Sequence, residues 1–339
     1  MGKYLIGVDV GGTTVKLGLF NTESFPEIIL KTAVPTRTQD GGKDIVPDTA
    51  EAIARIMRER SISTEEIAGI GIGVPGPVVT GDHAGQTYVN RCVNLGWGVK
   101  DVGSEMAALT GINRVEVIND ANAAALGEIF CGSVQDMAEA IGTYRKITAV
   151  MVTIGTGVGG GIVRDGQVVR GAFGCCGEIG HIKMTPQHPF FKELRDAGSG
   201  IAEFEDYEYY ASASGIIRIA EEAAALLPGK SVLKETREPG AKAVFDAARA
   251  GDELALKVRE AYFDVFGQGL ATVASAIDPD VFIIGGGVSG EGTLLLEGIR
   301  STYRKYVFHG SSETDFRLAV LGNDAGMIGC AAPLLQSGD

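Results

Sequence analysis

Ile6-Gly-Val-Asp-Val-Gly-Gly-Thr-Thr-Val-Lys-Leu17 and Val150-Met-Val-Thr-Ile-Gly-Thr-Gly-Val-Gly-Gly-Gly-Ile-Val163 follow one plan. Each is a β-branched run, a Gly/Thr cluster and a second β-branched run, which predicts a strand, a tight turn and a returning strand. Glycine lets backbone N–H groups approach an anion closely, and threonine hydroxyls add donors. A single turn of this kind is accounted for by a structural hairpin. Two of them predict two related lobes that grip one phosphate chain.

Outward from the first turn, residues 3–10 and 15–20 read as a hairpin with Asp9 at the end of its first strand, and Glu27–Val34 as a third strand. After a polar loop at 38–43, Val46, Ala50, Ile53 and Met57 have helical spacing, which predicts a helix over Ile45–Arg60 with Pro47 in its tolerant first turn. Gly69–Val74 is a buried strand stopped by Pro75-Gly76-Pro77, and 80–98 a long loop. A helix over Lys100–Leu109, a strand at Val115–Ile118 and a helix at Ala121–Ile129 opened by Asn119-Asp120 follow. The hairpin plan then returns at 147–170 with Asp165-Gly166 as its turn. Helices at 210–227, 240–249 and 252–277, a strand at Val281–Ile284, a helix at 291–305, a strand at 316–321 and a helix near 324–335 complete the chain. The order β-β-β-α-β-α runs twice, which predicts two α/β lobes with a central cleft. The expected division is 1–118, joined by the C-terminal helix at about 324–339, against 119–323.

The length of 339 residues agrees with two domains, and 45% apolar residues are enough for substantial cores. No apolar stretch approaches the ~20 residues of a membrane helix. The first residues pass straight into a strand without a signal-peptide pattern, and Ile6 stands where a myristoylation signal needs Ser or Thr, so a soluble, cytoplasmic protein is expected. A net charge of −13 argues against a nucleic-acid partner, while local N–H nests remain open to phosphate. The five cysteines, Cys92, Cys131, Cys175, Cys176 and Cys330, are odd in number and scattered, as reduced thiols are. Cys175 and Cys176 are expected to face the core, a redox pair being the alternative.

Residues 155–160 match G-x-G-x-x-G, but a dinucleotide fingerprint must open a helix, and Ile162–Gly166 continues as a hairpin. The match at Gly285–Gly290 is followed by a helix, yet no acidic residue ends a second strand at the required distance. Asp9 before the first Gly-Gly-Thr suits Mg²⁺ held directly or through water, or else caps the turn. Lys16 reaches a phosphate or is simply solvated. Asn119-Asp120 caps a helix, or supplies a carboxylate base beside a sugar-binding amide, since a hydroxyl that attacks phosphorus must lose its proton. Glu178 and His181 share a face of a turn flanked by Gly177 and Gly180.

Taken together, the chain resembles the ROK family of bacterial sugar kinases and sugar-sensing repressors over nearly its full length. The motifs are Asp9-x-Gly-Gly-Thr-x-x-Lys16, Gly71-Ile-Gly-Val-Pro-Gly-Pro77, Asn119-Asp-Ala-Asn-Ala-Ala, Gly155-Thr-Gly-Val-Gly-Gly-Gly161, Gly177-Glu-Ile-Gly-His181, Ile284-Gly-Gly-Gly-Val-Ser289 and Leu321-Gly-Asn-Asp-Ala-Gly326. The resemblance implies the two-lobed, actin-like (ribonuclease H-like) ATPase fold. It implies ATP and Mg²⁺ as cofactors and a hexose as partner. Asp9, Gly11, Gly12, Thr13, Thr14 and Lys16, with Gly155, Thr156, Gly157 and Gly159, resemble the two phosphate loops, and Asp9 is the Mg²⁺ residue. Gly286 and Gly287 resemble the adenosine-side turn. Asp120 matches the base that deprotonates the sugar's 6-hydroxyl, and Gly76, Asn94, Asn119, Glu178, His181 and Glu208 fall on the sugar side. A homodimer is implied as well.

The family's zinc-binding Cys-x-Cys-Gly-x-x-Gly-Cys segment is missing: residues 182–207 contain no cysteine, and Cys175 and Cys176 lie upstream of His181. No structural zinc is expected, and Phe190, Phe191, Phe204 and Tyr207 are expected to pack the segment instead. Glucokinase activity is the expected function, with Asn94-Leu-Gly-Trp97 resembling that branch. Kinases of fructose, mannose, allose or N-acetylhexosamine share much of the same site, and polyphosphate is a second candidate donor. A repressor would carry a helix-turn-helix domain before the first phosphate loop, for which Asp9 stands too near Met1. A non-catalytic sugar-sensing protein is the remaining alternative.

Overall fold

The computed structural model describes residues 2–81, 87–236 and 240–335. Residues 82–86 of the expected loop and the last four residues of the expected C-terminal helix lie outside them. The chain divides into two compact units. The first takes residues up to Ile147, Gly161–Gly177 and the chain from Val320 on, and the second takes Thr148–Gly160 and Glu178–Ala319.

In the first unit, β1 (Tyr4–Val10), β2 (Thr14–Asn21) and β3 (Ile28–Pro35) form an antiparallel meander. The helix α1 (Ile45–Arg60) leads into β4 (Ile67–Val74), parallel to β1, and α2 (Val102–Thr110) leads into β5 (Val115–Asn119), parallel to β4. The sheet order is β3-β2-β1-β4-β5. The helical spacing in α1 buries Val46, Ala50, Ile53 and Ile56 against this sheet, each such side chain contributing roughly 1.5–3 kcal/mol except the smaller alanine. Asp101 caps α2 by accepting the Ser104 N–H at 2.9 Å. The segment read as a loop over 80–98 carries more structure than expected: Thr87–Val89 pairs with Val78–Thr80, and a short 3₁₀ turn spans Val93–Leu95. Buried Trp97 pins it by donating its indole N–H to Gly42 O at 3.0 Å. The helices α3 (Asp120–Cys131) and α4 (Gln135–Ile141) follow β5.

The second sheet repeats the order of the first: β6 (Ala149–Ile154), β7 (Val158–Arg164), β8 (Gln167–Val168), β9 (Val281–Gly285) and β10 (Asp315–Leu318) lie as β8-β7-β6-β9-β10. β9 runs parallel to both of its neighbours. Asp165 and Gly166 turn the β7–β8 hairpin with φ of 56° and 72°, the conformation a two-residue type I′ turn requires. The helices of the second unit are α5 (Pro189–Asp196), α6 (Tyr207–Ala211), α7 (Ala213–Leu226), α8 (Ala241–Arg249), α9 (Glu253–Ile277) and α10 (Thr293–Tyr306).

The last helix, α11 (Ala325–Ala331), returns to the first unit. There Met327, Ile328 and Ala331 join Leu5 and Phe20 in a second core on the sheet. This helix also explains why α3 falls in the first unit, although the sequence placed the division at 118/119. A Cβ on Gly127 would stand 2.5 Å from Ala325 O, and one on Gly329 would stand 2.6 Å from the Ala123 carbonyl carbon. The two backbones therefore touch. Fully buried Glu128 of α3 secures the pair by accepting the N–H groups of Val320 at 2.9 Å, Leu321 at 2.8 Å and Ser133 at 3.0 Å. Three backbone donors satisfy a charge that would otherwise be costly to bury.

Candidate functional site

In the first unit Asp9 ends β1 opposite Lys16 of β2, with Lys16 Nζ 3.7 Å from Asp9 Oδ2. Burial pushes the Asp9 carboxyl up and Lys16 opposes the shift. To the two readings of Lys16 the structure adds a third, a cross-strand partner for Asp9. The turn between them is closed by the Gly11 N–H donating to Thr14 O at 3.0 Å. Thr36 ties it to β3, its hydroxyl donating to Gly11 O at 2.7 Å and its N–H to Thr13 O at 2.9 Å. Gly11 thus spends its donor inside the turn. Among the described residues no backbone acceptor takes the N–H of Gly12 or Thr13, and the side of Gly12 that would carry a Cβ is open space.

Asn119 and Asp120 stand where β5 meets α3, and the capping reading holds: Asn119 Oδ1 accepts the Asn122 N–H at 3.1 Å. The Asn119 amide also donates to Gly76 O at 3.2 Å, which joins two predicted sugar-side residues and leaves the amide one further donor. Asp120 Oδ1 accepts the Ala121 N–H at 2.8 Å. Asn94 is exposed on the 3₁₀ turn after Cys92. Burial, with a contribution from Asp120, pushes the Cys92 thiol up, so this turn lies within reach of the Asp120 charge. Cys330 of α11 is fully buried, and its thiol is pushed well up by burial and then by both Asp9 and Asp120. The charges of both carboxylates that the sequence assigned to nucleotide and sugar therefore act on one buried thiol. The spacing of Cys330 from either residue along the chain held no sign of this.

In the second unit the turn between β6 and β7 is as tight as the first: the Gly155 N–H donates to Gly157 O at 3.0 Å. Gly155 O accepts the Ala213 N–H at 2.9 Å, which sets the turn against the N-terminus of α7, a favourable place for negative charge. Thr156 is exposed at its tip. A Cβ on Gly159 would stand 2.5 Å from the Thr153 hydroxyl. Gly286 has φ 85°, and a Cβ there would stand 2.6 Å from Ile154 N, so only glycine fits. Beside it, a cavity of about 310 Å³ is lined by Gly155, Gly287, Ile154, Ala213, Phe245 and Lys242, among others. The structure thus unites two predicted nucleotide-side groups around one space with an apolar wall and a cation. Ala213, Lys242 and Phe245 were missed by sequence reasoning, because nothing in their local pattern differs from an ordinary amphipathic helix.

Glu178 and His181 flank a 3₁₀ turn, and both are exposed. Glu208 of α6 is brought to the same turn: a Cβ on Gly180 would stand 3.3 Å from Glu208 Oε2. That oxygen also accepts the Val158 N–H at 3.2 Å, and a side chain on Gly157 would run into it. Glu208 therefore touches the phosphate turn as well as the Glu178–His181 turn.

The donors around His181 do not fit the family's zinc. The imidazole is 64% exposed, and Nδ1 stands 3.8 Å from Asp206 Oδ2, a carboxylate already paired with Lys183 at 3.0 Å. Residues 182–207 hold together through an aromatic core. Phe190, Phe191, Tyr207 and Tyr210 are buried, and Phe191 meets Tyr210 edge-on at 5.8 Å. The Tyr207 hydroxyl donates to Phe266 O and the Tyr210 hydroxyl to Ala202 O, each at 2.9 Å. Phe204, expected in this core, is 61% exposed, and Tyr210 takes that place. Cys175 is exposed and Cys176 half-buried, contrary to the expected core-facing pair, because Gly171 and Gly174 turn this loop outward with φ of 72° and 71°. Phe191→Ala is expected to lower stability by about 3–4 kcal/mol, while dialysis against a chelator leaves the thermal midpoint unchanged. Both are read by calorimetric melting.

Two sheets of one repeated strand order, each with a glycine turn between its first two strands, have the fold of the actin-like ATPases. The ROK family model matches residues 5–337, and the chain belongs to that family. It is 36% identical to a glucokinase of Halalkalibacterium halodurans, over 96% of this chain and 93% of that one. It is 33% identical to a glucokinase of Streptomyces coelicolor, over 96% of each. It is also similar to the crystal structure of a ROK family glucokinase from Streptomyces griseus in complex with glucose and AMPPNP, with a TM-score of 0.68 and 30% identity over 97% of this chain and 98% of that one.

Proposed function

We propose that the chain is a hexokinase of the glucokinase type, which transfers the γ-phosphoryl group of ATP to the 6-hydroxyl of glucose. The observation that carries this is the sheet register: Asp9 of the phosphate turn lies opposite Gly73 of β4, and Asn119, the residue before Asp120, lies opposite Val74 of the same strand, so both carboxylate-bearing strand ends fall at one edge of the first sheet. The glucokinases among its relatives support glucose as acceptor and ATP as donor.

In this scheme Asp120 accepts the proton of the 6-hydroxyl as its oxygen attacks the γ-phosphorus in line. The bond from that phosphorus to the β-phosphate oxygen breaks, and ADP leaves. Asn94, Asn119, Glu178, His181 and Glu208 hold sugar hydroxyls, which carboxylate and amide groups bridge well, with Gly76 fixing the Asn119 amide. The glycine turns with Thr13, Thr14, Lys16 and Thr156 receive the phosphates, and Gly286 and Gly287 the adenosine side. Asp9 would hold a Mg²⁺ ion, which would supply positive charge to the phosphates of the bound nucleotide. Asp9 fits that ion, since a cation there offsets the burial that pushes its carboxyl up, and Mg²⁺ is commonly held by one or two carboxylates with phosphate and water as its other ligands. Asp9→Asn is expected to raise KM for ATP and lower kcat, about 10–100-fold in kcat/KM, with KM for the sugar little changed. Steady-state kinetics in each substrate checks this.

A kinase of fructose, mannose, allose or N-acetylhexosamine would use most of the same residues, and the altered segment beside His181 and Glu208 is where acceptors would be told apart. ADP release from ATP across a panel of these sugars, with a parallel assay for sugar phosphate formed from polyphosphate, tests the proposal. Glucose with ATP is expected to give the highest kcat/KM, and a panel with no turnover would refute the kinase reading. The expected setting is the cytoplasm, and the expected assembly is a homodimer.

A further inference from the structure

A cavity with basic lining, outside the residues assigned above, lies within the first unit. It has a volume of about 400 Å³ and is lined by Arg145, Arg170, Glu116, Gln167, Ile118 and Leu126, among others. Its guanidinium groups are under-compensated in a chain whose net charge is −13. Arg170 is half-buried; burial lowers its pKa, opposed by Glu116. Among the described residues its hydrogen-bond acceptor is Val117 O, at a long 3.5 Å. Arg145 has no carboxylate within 4.0 Å among the described residues. The lining residue Glu116 has Oε1 3.8 Å from Arg114 Nη2, a buried atom without a hydrogen-bond partner among the described residues. Arg145 and Arg170 thus line one cavity together with Glu116.

We propose that this cavity binds a small phosphate ester that carries hydroxyl groups, and that its occupancy acts on turnover through β5. Two planar guanidiniums suit the oxygens of one phosphate, which takes parallel N–H donors. Glu116 repels that end of the ligand and with Gln167 accepts from hydroxyls at the other. Ile118 and Leu126 give the body an apolar wall. The volume falls in the range of organic-ligand sites and is far more than a bare phosphate fills. Arg170 holds the Val117 carbonyl of β5, the strand that ends at Asn119 beside Asp120. A phosphate that draws Arg170 away would release that carbonyl and shift the strand that positions the base.

The test is equilibrium dialysis with labelled glucose 6-phosphate, in the presence of saturating glucose and AMPPNP so that the substrate sites are filled. One equivalent is expected to bind per chain, displaced by inorganic phosphate and not by additional glucose. Arg145→Ala and Arg170→Ala are each expected to weaken it about tenfold or more, as the loss of a charged phosphate contact does. Arg145 is exposed, so its variant is expected to fold as the wild type does. An absence of binding, or equal binding by the wild type and Arg145→Ala, would overturn the site. Saturating ligand is expected to change kcat at fixed KM for the sugar, and an unchanged kcat would refute the link to β5. Dialysis needs no phosphoryl transfer, so failure of this site is distinguishable from failure of the kinase reading.

Discussion

Asp120→Asn is expected to lower kcat by about 10³-fold while the protein still binds its sugar. The substitution changes one oxygen for an amide nitrogen at constant shape. The side-chain oxygen that accepts the Ala121 N–H at 2.8 Å is retained, and the α3 cap is made by Asn119, not by Asp120. The start of the helix should therefore survive, and with it the Asn119–Gly76 contact at 3.2 Å. What is lost is the acceptor for the hydroxyl proton, needed only as the oxygen attacks. The loss should fall on kcat and spare the sugar affinity. Turnover by rapid quench and sugar binding by calorimetry separate the two, and wild-type turnover in this variant would remove Asp120 from the proposed chemistry.

Gly329→Ala is expected to cost about 3 kcal/mol or more and to impair transfer as well. The new methyl group would meet Ala123 O first, with the Ala123 carbonyl carbon at 2.6 Å and Gly127 N at 2.7 Å. These are backbone atoms of α3 and cannot rotate away. The α3–α11 pair must part, and its two neighbours at issue are Asp120, at the head of α3, and Asp9, which stands 2.9 Å from where a Gly326 Cβ would be. Thermal melting reads the stability, and kcat/KM reads the displaced carboxylates. Gly98→Ala is the control: a Cβ there meets nothing within 4 Å, so its effect should stay within about 0.5 kcal/mol. A Gly329→Ala protein with the wild-type midpoint would mean that the two helices do not meet backbone to backbone.

Much of the site was legible in the amino-acid sequence, and the reason is local. A turn that offers N–H groups to phosphate needs glycine between β-branched strands, so both turns show in the sequence. The helix over Ile45–Arg60 has the bounds its spacing predicts, and Asp165-Gly166 makes the hairpin turn its composition demands. Asn119 was assigned either as a cap or as a ligand residue, and it serves as a cap while keeping a spare donor. Short elements without strong periodicity are not legible: α4 and α5 carry no distinctive pattern, and 80–98 reads as loop throughout although Thr87–Val89 forms a strand.

The sequence by itself determined the main strands and the long helices, the two glycine turns and the chemical identity of Asp9, Asn119, Asp120, Glu178 and His181. Those follow from backbone preferences and side-chain chemistry acting over a few residues. Only the tertiary structure decided that Asp9 and Asn119 meet the same strand β4 at adjacent register positions, and that α3 packs on α11 in the first unit. It alone placed Glu208 under the 155–159 turn, Phe245 and Lys242 beside Gly287, and Phe204 in solvent while Tyr210 fills the core. Each of these depends on which distant segments exclude water together and how closely their backbones approach. That is a property of the packed whole, and no window of the chain contains it.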